Sequence, residues 1–191
     1  MIVVDVETTG IDPKKHSIVS IGAVSFYNSR NQFYQECKIW DGSEVTEEAL
    51  KINGFSEEDI KNPNKKTLKE VIKNFLNWAD NIKNKTIAGE NPSFDRDFLK
   101  ASIERSGLKW EFGYRTVDLH SLCYANYLKR GEALPAKLNT DKTLNYVGLP
   151  DEPKPHNALT GAKMEAEAFS RLIYGKVLLK EFEKYRIPDY L

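Results

Sequence analysis

Ile2-Val3-Val4-Asp5-Val6-Glu7-Thr8-Thr9-Gly10 is a β-branched run broken by two carboxylates and closed by a turn. Side chains alternate along a strand, so Asp5 and Glu7 share one side, about 6.6 Å apart along the backbone. After a turn marked by Gly10, Asp12 and Pro13, the run Ile18 to Phe26 reads as a second strand. A polar Asn28-Ser29-Arg30-Asn31 turn leads to a third, Phe33 to Ile39, and the short connections make the three an antiparallel meander.

Downstream the rhythm changes. Thr46 with Glu47 and Glu48 starts a short helix, and Thr67 with Glu70 forms a capping box. From there Leu68, Val71, Ile72, Phe75, Leu76 and Ala79 keep the i, i+3, i+4 spacing of a helix with one buried face. Thr86 to Ala88 reads as a brief strand, Ser93 to Arg105 as a helix and Arg115 to Asp118 as another strand. Helices are expected over Leu119 to Lys129, Thr143 to Val147 and Asn157 to Tyr174, with a helical tail in 175–191. Gly131 to Asp141 is the longest loop-like stretch. The pattern is α/β: a mixed sheet of three antiparallel strands, then alternating helices and strands, flanked by helices.

At 191 residues the expectation is a single domain, 1–191. No apolar run reaches the eighteen or so residues that span a bilayer, and residues 1–5 carry no basic region or cleavage pattern of a secretory signal. Cys37 and Cys123 sit in apolar segments without a CxxC or Cys/His cluster, which favours reduced core thiols and a cytoplasmic location. Basic and acidic side chains balance at 28 each. A protein gripping long duplex through many phosphates usually shows a basic excess, so a nucleic-acid role here would be local, at an end or on a short strand.

The chemistry lies in a constellation. Alone, Asp5 and Glu7 are read most simply as decorating the wet face of an edge strand. Asn91-Pro92-Ser93-Phe94-Asp95 adds a third carboxylate at a helix start, where the dipole favours negative charge. Carboxylate oxygens are what Mg²⁺ or Mn²⁺ prefer. His156, at the head of the Asn157 to Tyr174 helix, is a candidate general base because its unperturbed pKa near 6.5 lets it take a proton at neutral pH. His16 and His120 lack comparable partners and are read as structural or exposed.

These motifs resemble the DEDDh group of DnaQ-like 3′-5′ exonucleases, which have an RNase H-like fold: Asp5 to Gly10, Asn91 to Asp95, and His156-Asn157-Ala158-Leu159-Thr160-Gly161-Ala162, with Glu48 to Gly54 also family-like. The resemblance implies that Asp5, Glu7 and Asp95 hold two divalent metal ions, Mg²⁺ or Mn²⁺, and that His156 activates the attacking water. It implies release of nucleoside monophosphates from single-stranded DNA or RNA 3′ ends. Thr8, Thr9, Asn91 and Phe94 would then lie around the terminal nucleotide. A polymerase or another nucleic-acid enzyme is the partner expected for a proofreading role, and a stand-alone role needs none.

Gly161 departs from the pattern, which places an Asp five residues after the histidine. Loss of a metal ligand should cost more than the roughly 10 to 100-fold lost with an outer-shell partner. A mid-helix glycine costs about 1 kcal/mol relative to alanine, and the sequence shows no packing need for it. Glu165 shares the helix face of position 161 one turn on, but the simpler reading is a surface or salt-bridging glutamate. An impaired exonuclease is thus the leading expectation, a non-catalytic module holding a nucleic-acid end the alternative, and an RNase H-type endonuclease the enzyme runner-up, for which His156 has no purpose.

Overall fold

The computed structural model describes residues 1–191. Strands β1 (Ile2–Thr8), β2 (Ile18–Ser25) and β3 (Gln32–Glu36) form the expected antiparallel meander. Strands β4 (Ile87–Gly89) and β5 (Thr116–Asp118) add in parallel beyond β1, giving a five-stranded sheet of order β3-β2-β1-β4-β5. β1 is therefore central, and all of it except Asp5 is buried. β4 pairs with β1 only at Ile2 and Val3, so the carboxyl-terminal half of β1 has an open edge.

The helices are α1 (Glu47–Asn53), α2 (Glu57–Lys61), α3 (Leu68–Asp80), α4 (Pro92–Arg105), α5 (Leu119–Lys129), α6 (Thr140–Tyr146) and α7 (Ala158–Tyr174). The Thr67/Glu70 capping box forms as expected. α2 was not foreseen; its signal is a second capping box, Ser56 with Asp59. No helix is long and apolar enough to cross a membrane. Two apolar clusters cover the two faces of the sheet. Ile2, Val4 and Val6 pack with Phe75 of α3 and Phe98 of α4, while Val3 and Val24 pack with Phe169 of α7 and Cys123 of α5. Both cysteines are free and buried. By alternation Asp5 and Glu7 belong to the face of Val3, the face under α7.

Residues 175–191, expected as a helical tail, contain only a 3₁₀ turn, Lys180–Phe182. The segment is tied down by the fully buried pair Arg171 and Glu167, one turn apart on α7. Glu167 Oε2 accepts the backbone N–H groups of Leu178 and Leu179, and Arg171 donates to the carbonyls of Val147, Phe182 and Tyr185. Polar backbone in the tail is thus paired through side chains rather than through helix formation.

α7 approaches the sheet closely at Gly22 of β2. A β-carbon there would lie 2.1 Å from the carbonyl carbon and oxygen of Ala158, at the first turn of α7. Neither side of that contact is a movable side chain, so the absence of a Cβ sets the height of the helix start above the sheet. Gly22→Ala is expected to lower stability by about 1–3 kcal/mol through overpacking. Gly113→Ala, which adds its methyl to open space, should be neutral to slightly stabilising, by at most about 1 kcal/mol. Urea denaturation of the two variants checks the contrast.

Candidate metal-dependent active site

Three segments converge at the carboxyl end of β1. The strand carries a register shift between Glu7 and Thr8 against β2, the kind of irregularity that re-aims side chains at a sheet end. α1 is bonded to the end of the strand and the turn beyond it: Asn53 donates to the Thr8 carbonyl at 3.0 Å, and the Thr46 N–H donates to the Thr9 carbonyl at 2.8 Å. The His156 N–H donates to the Ile52 carbonyl at the end of α1, at 3.0 Å. α1 therefore fixes both the turn after β1 and the approach to α7.

Asp95 reaches the site from the first turn of α4. Its Oδ1 accepts the Val6 N–H at 3.0 Å, closing the edge of β1 that β4 leaves open. Asn91, before that helix, holds a left-handed backbone (φ 52°), uncommon for any residue with a β-carbon but tolerated best by Asn and Asp. It lies at the rim of the cleft with Phe94, whose ring leans on Phe98 at 4.8 Å.

The resulting cleft has a volume of about 580 Å³ and is lined by seven carboxylates and two histidines, with no lysine or arginine. Asp5, Glu7, Asp95, His156, Thr8, Asn91 and Phe94 all border it. Thr9 does not. It is fully buried, its hydroxyl donating to the Glu44 carbonyl and accepting the Ser17 N–H, so it holds the turn together and is unavailable to a ligand. His16 is structural as expected, with its Nδ1 3.0 Å from the Asp12 backbone nitrogen. His120 was expected to have no partner; it borders the cleft with its Nδ1 3.4 Å from Glu90 Oε1.

Two acids that the sequence motifs pass over or discount are prominent. Glu152, four residues before His156, has a side chain only 10% exposed, its Oε2 3.6 Å from His156 Nδ1. Glu7, Glu152 and His156 bring one potential ligand atom each within 4.8 Å of one another. Glu165 is buried rather than on the surface, with no salt-bridge partner, and faces the cleft. The signal for Glu152 was available: an acid one turn's length ahead of the histidine, in a segment stiffened by Pro150, Pro153 and Pro155. Ile11 and Ile52 also border the cleft, 84% and 53% exposed.

Electrostatics register the crowding. Burial raises Asp5 to about 7. Burial, with the charges of Asp5 and Glu152, raises Glu7 to about 8. Glu152 is raised to about 8 by burial and then by Asp5 and Asp141. Asp95 and Glu165 are shifted well upward, again by burial first and Asp5 second. His156 moves down, through burial and the nearby Lys154, which keeps its ring neutral around pH 7. Glu90 Oε2, Glu152 Oε1 and Glu165 Oε2 are buried without hydrogen-bond partners. Unpaired carboxylate oxygens around a cleft with no fixed cation are a donor set suited to hard divalent ions such as Mg²⁺ or Mn²⁺.

Gly161 lies on α7 directly opposite Asp5. A β-carbon on it would be 2.1 Å from Asp5 Oδ2 and 3.2 Å from Glu152 Oε1. The expectation that nothing needs this glycine is therefore corrected: the Asp5 carboxylate occupies the space, and a side chain at 161 requires that carboxylate to rotate away.

An exonuclease family model matches residues 2–169. The chain is 30% identical over 173 residues to DNA polymerase III PolC-type of Thermotoga petrophila, which covers 90% of this chain but only 12% of that protein. It is 26% identical over 193 residues to ribonuclease T of Haemophilus influenzae, covering 90% of this chain and 78% of the relative. It is 28% identical over 187 residues to DNA polymerase III subunit epsilon of Rickettsia typhi, covering 92% and 74%. In three dimensions it resembles the nuclease domain of 3′hExo, a DEDDh family member solved bound to rAMP, with a TM-score of 0.71 at 18% identity, covering 100% of this chain and 96% of that one. It also resembles E. coli Exonuclease I in complex with a dT13 oligonucleotide, with a TM-score of 0.69 at 17% identity, covering 89% and 40%. The structural likenesses establish the RNase H-like fold, and with the family match running from β1 into α7, the chain belongs to the RNase_T exonuclease family.

Proposed function

We propose that this chain is a metal-dependent 3′-5′ exonuclease that removes nucleoside monophosphates from single-stranded DNA or RNA ends. The observation that carries the reading is one cleft bordered by Asp5, Glu7, Asp95 and His156, with no lysine or arginine in its lining. The Ribonuclease T and polymerase-subunit relatives support it, as do neighbours solved with rAMP or a single-stranded oligonucleotide. A binding module has no chemical use for converging acids beside a base.

Asp5, Glu7 and Asp95 would hold two divalent ions. Bound there, such ions supply neutralisation of the attacking and leaving oxygens of the phosphodiester. The protein's own groups do the rest. With Nδ1 of His156 turned to Glu152, Nε2 is the nitrogen left to take a proton from water. Thr8, Asn91 and Phe94 border the space for a terminal nucleotide, and Ile11 and Ile52 offer apolar surface for its base. Stacking and apolar contact ignore base identity, so little sequence preference is expected.

Mononucleotide release from 3′-labelled single-stranded DNA and RNA in Mn²⁺ tests this reading. His156→Ala is expected to slow release by about 10²–10⁴-fold, as for loss of a general base, and Asp5→Asn by more than about 100-fold. An inert parent chain that binds single-stranded ends equally well with and without Asp5→Asn would instead support the binding-module alternative, which Gly161 alone favours.

A second prediction concerns pH. Asp5, Glu7 and Glu152 are raised from ordinary values near 4 to about 7, 8 and 8. Between those limits the metal-free folded chain binds more protons than the unfolded chain, so its stability falls as pH rises from about 4 to 8. Thermal unfolding in EDTA is expected to show a midpoint that drops from pH 5 to pH 8. Saturating Mg²⁺ or Mn²⁺, which binds the ionised carboxylates, should raise the midpoint most at pH 8.

A further inference from the structure

We propose that Glu152 takes over the metal-binding role that the family pattern gives to an Asp at position 161. The inference rests on the exonuclease reading and assigns the missing carboxylate to the loop before α7 rather than to the helix itself.

Three observations place Glu152 there. Its Oε1 lies 3.2 Å from where a β-carbon on Gly161 would stand, so the loop delivers a carboxylate oxygen into the region that a side chain at 161 would occupy. Its side chain is nine-tenths buried, and that same oxygen has no hydrogen-bond partner. Burying a carboxylate oxygen with nothing to pair it is costly unless a proton or a cation neutralises it. Finally, Glu152 is grouped with Glu7 and His156, each offering one ligand atom within 4.8 Å of the others, so it stands beside the second acid of the first motif.

The loop is built to hold this position. Pro150, Pro153 and Pro155 restrict its backbone. The Glu152 N–H points to Asp141 Oδ1 at 3.4 Å, and Asn145 donates to the Leu149 carbonyl and to Asp151 Oδ1. Gly161 is the complementary half of the arrangement, because the missing side chain leaves room for both Asp5 Oδ2 and Glu152 Oε1. Glu165 is the competing source. It too has an orphan oxygen, but that atom lies against Gly89 of β4, 3.0 Å from a β-carbon built there, and Glu165 is not among the residues grouped with Glu7 and His156.

The test is calorimetric titration of Mn²⁺ alone into the full chain and into Glu152→Gln, Glu165→Gln, and Glu152→Gln combined with Gly161→Asp, with a circular-dichroism melt of each to establish folding. Glu152→Gln is expected to weaken Mn²⁺ binding at least about 10-fold, and the added Gly161→Asp to restore it. Unchanged Mn²⁺ affinity in Glu152→Gln overturns the assignment, and so does a loss confined to Glu165→Gln, which would name that residue instead. A loss in Glu152→Gln that Gly161→Asp fails to restore also overturns it. Those three outcomes leave the exonuclease reading standing; a parent chain that binds no Mn²⁺ removes both.

Discussion

The structure turns on like charge gathered in a place that water does not fully reach. Two carboxylates less than 5 Å apart repel by roughly 3–4 kcal/mol at an effective dielectric of about 20, and Glu7 and Glu152 stand within that distance. Asp5, Asp95 and Glu165 add to the same field, and no lysine or arginine borders the cleft to oppose it. Such a cluster persists only by holding protons or by holding cations. The raised carboxyl pKa values are the first solution, and a bound divalent metal would be the second.

Keeping the acids together demands a stiff frame, and the frame is economical. β1 is the central strand, so its backbone is fixed on both sides over Ile2 and Val3. Beyond them Asp95 takes the bond to Val6 that a neighbouring strand would have supplied, which makes one carboxylate both a site residue and a piece of the sheet. α1 holds the following turn through Asn53 and the approach to α7 through Ile52. Gly22 lets the first turn of α7 rest on the backbone of β2, and this brings position 161 against Asp5. Each contact is backbone to backbone or side chain to backbone, so none depends on a freely rotating surface residue.

Much of this was legible in the chain. The alternation in Ile2 to Val6, the capping box at Thr67 and the i, i+3, i+4 spacing of α3 are local signals, and local signals survive folding. That Asp5, Glu7, Asp95 and His156 gather around one cleft was legible because three short motifs carry them. What was not legible depended on long-range placement. Thr9 looks like its neighbour Thr8, and only the return of Ser17 and Glu44 to its hydroxyl makes it internal. Residues 175–191 have helix-compatible composition, but Glu167 and Arg171 capture their backbone groups in another conformation. His120 gains its partner, Glu90, through the parallel pairing of β4 with β5, which no local pattern announces.

Position 161 shows why a motif and a site are different objects. A motif records which residue comes after which, and by that measure a glycine five places after the histidine is a loss. A site records where oxygens stand in space, and by that measure the neighbourhood of Gly161 holds two carboxylates, one from β1 and one from the loop before α7. The charge count supports the spatial view. Of the seven acids that line the cleft, the four proposed as ligands, Asp5, Glu7, Asp95 and Glu152, equal the number the unbroken pattern would supply through position 161. Adding an Asp to the existing set would make five, with Asp5 forced to rotate, so the glycine and the glutamate make physical sense as a pair and neither does alone.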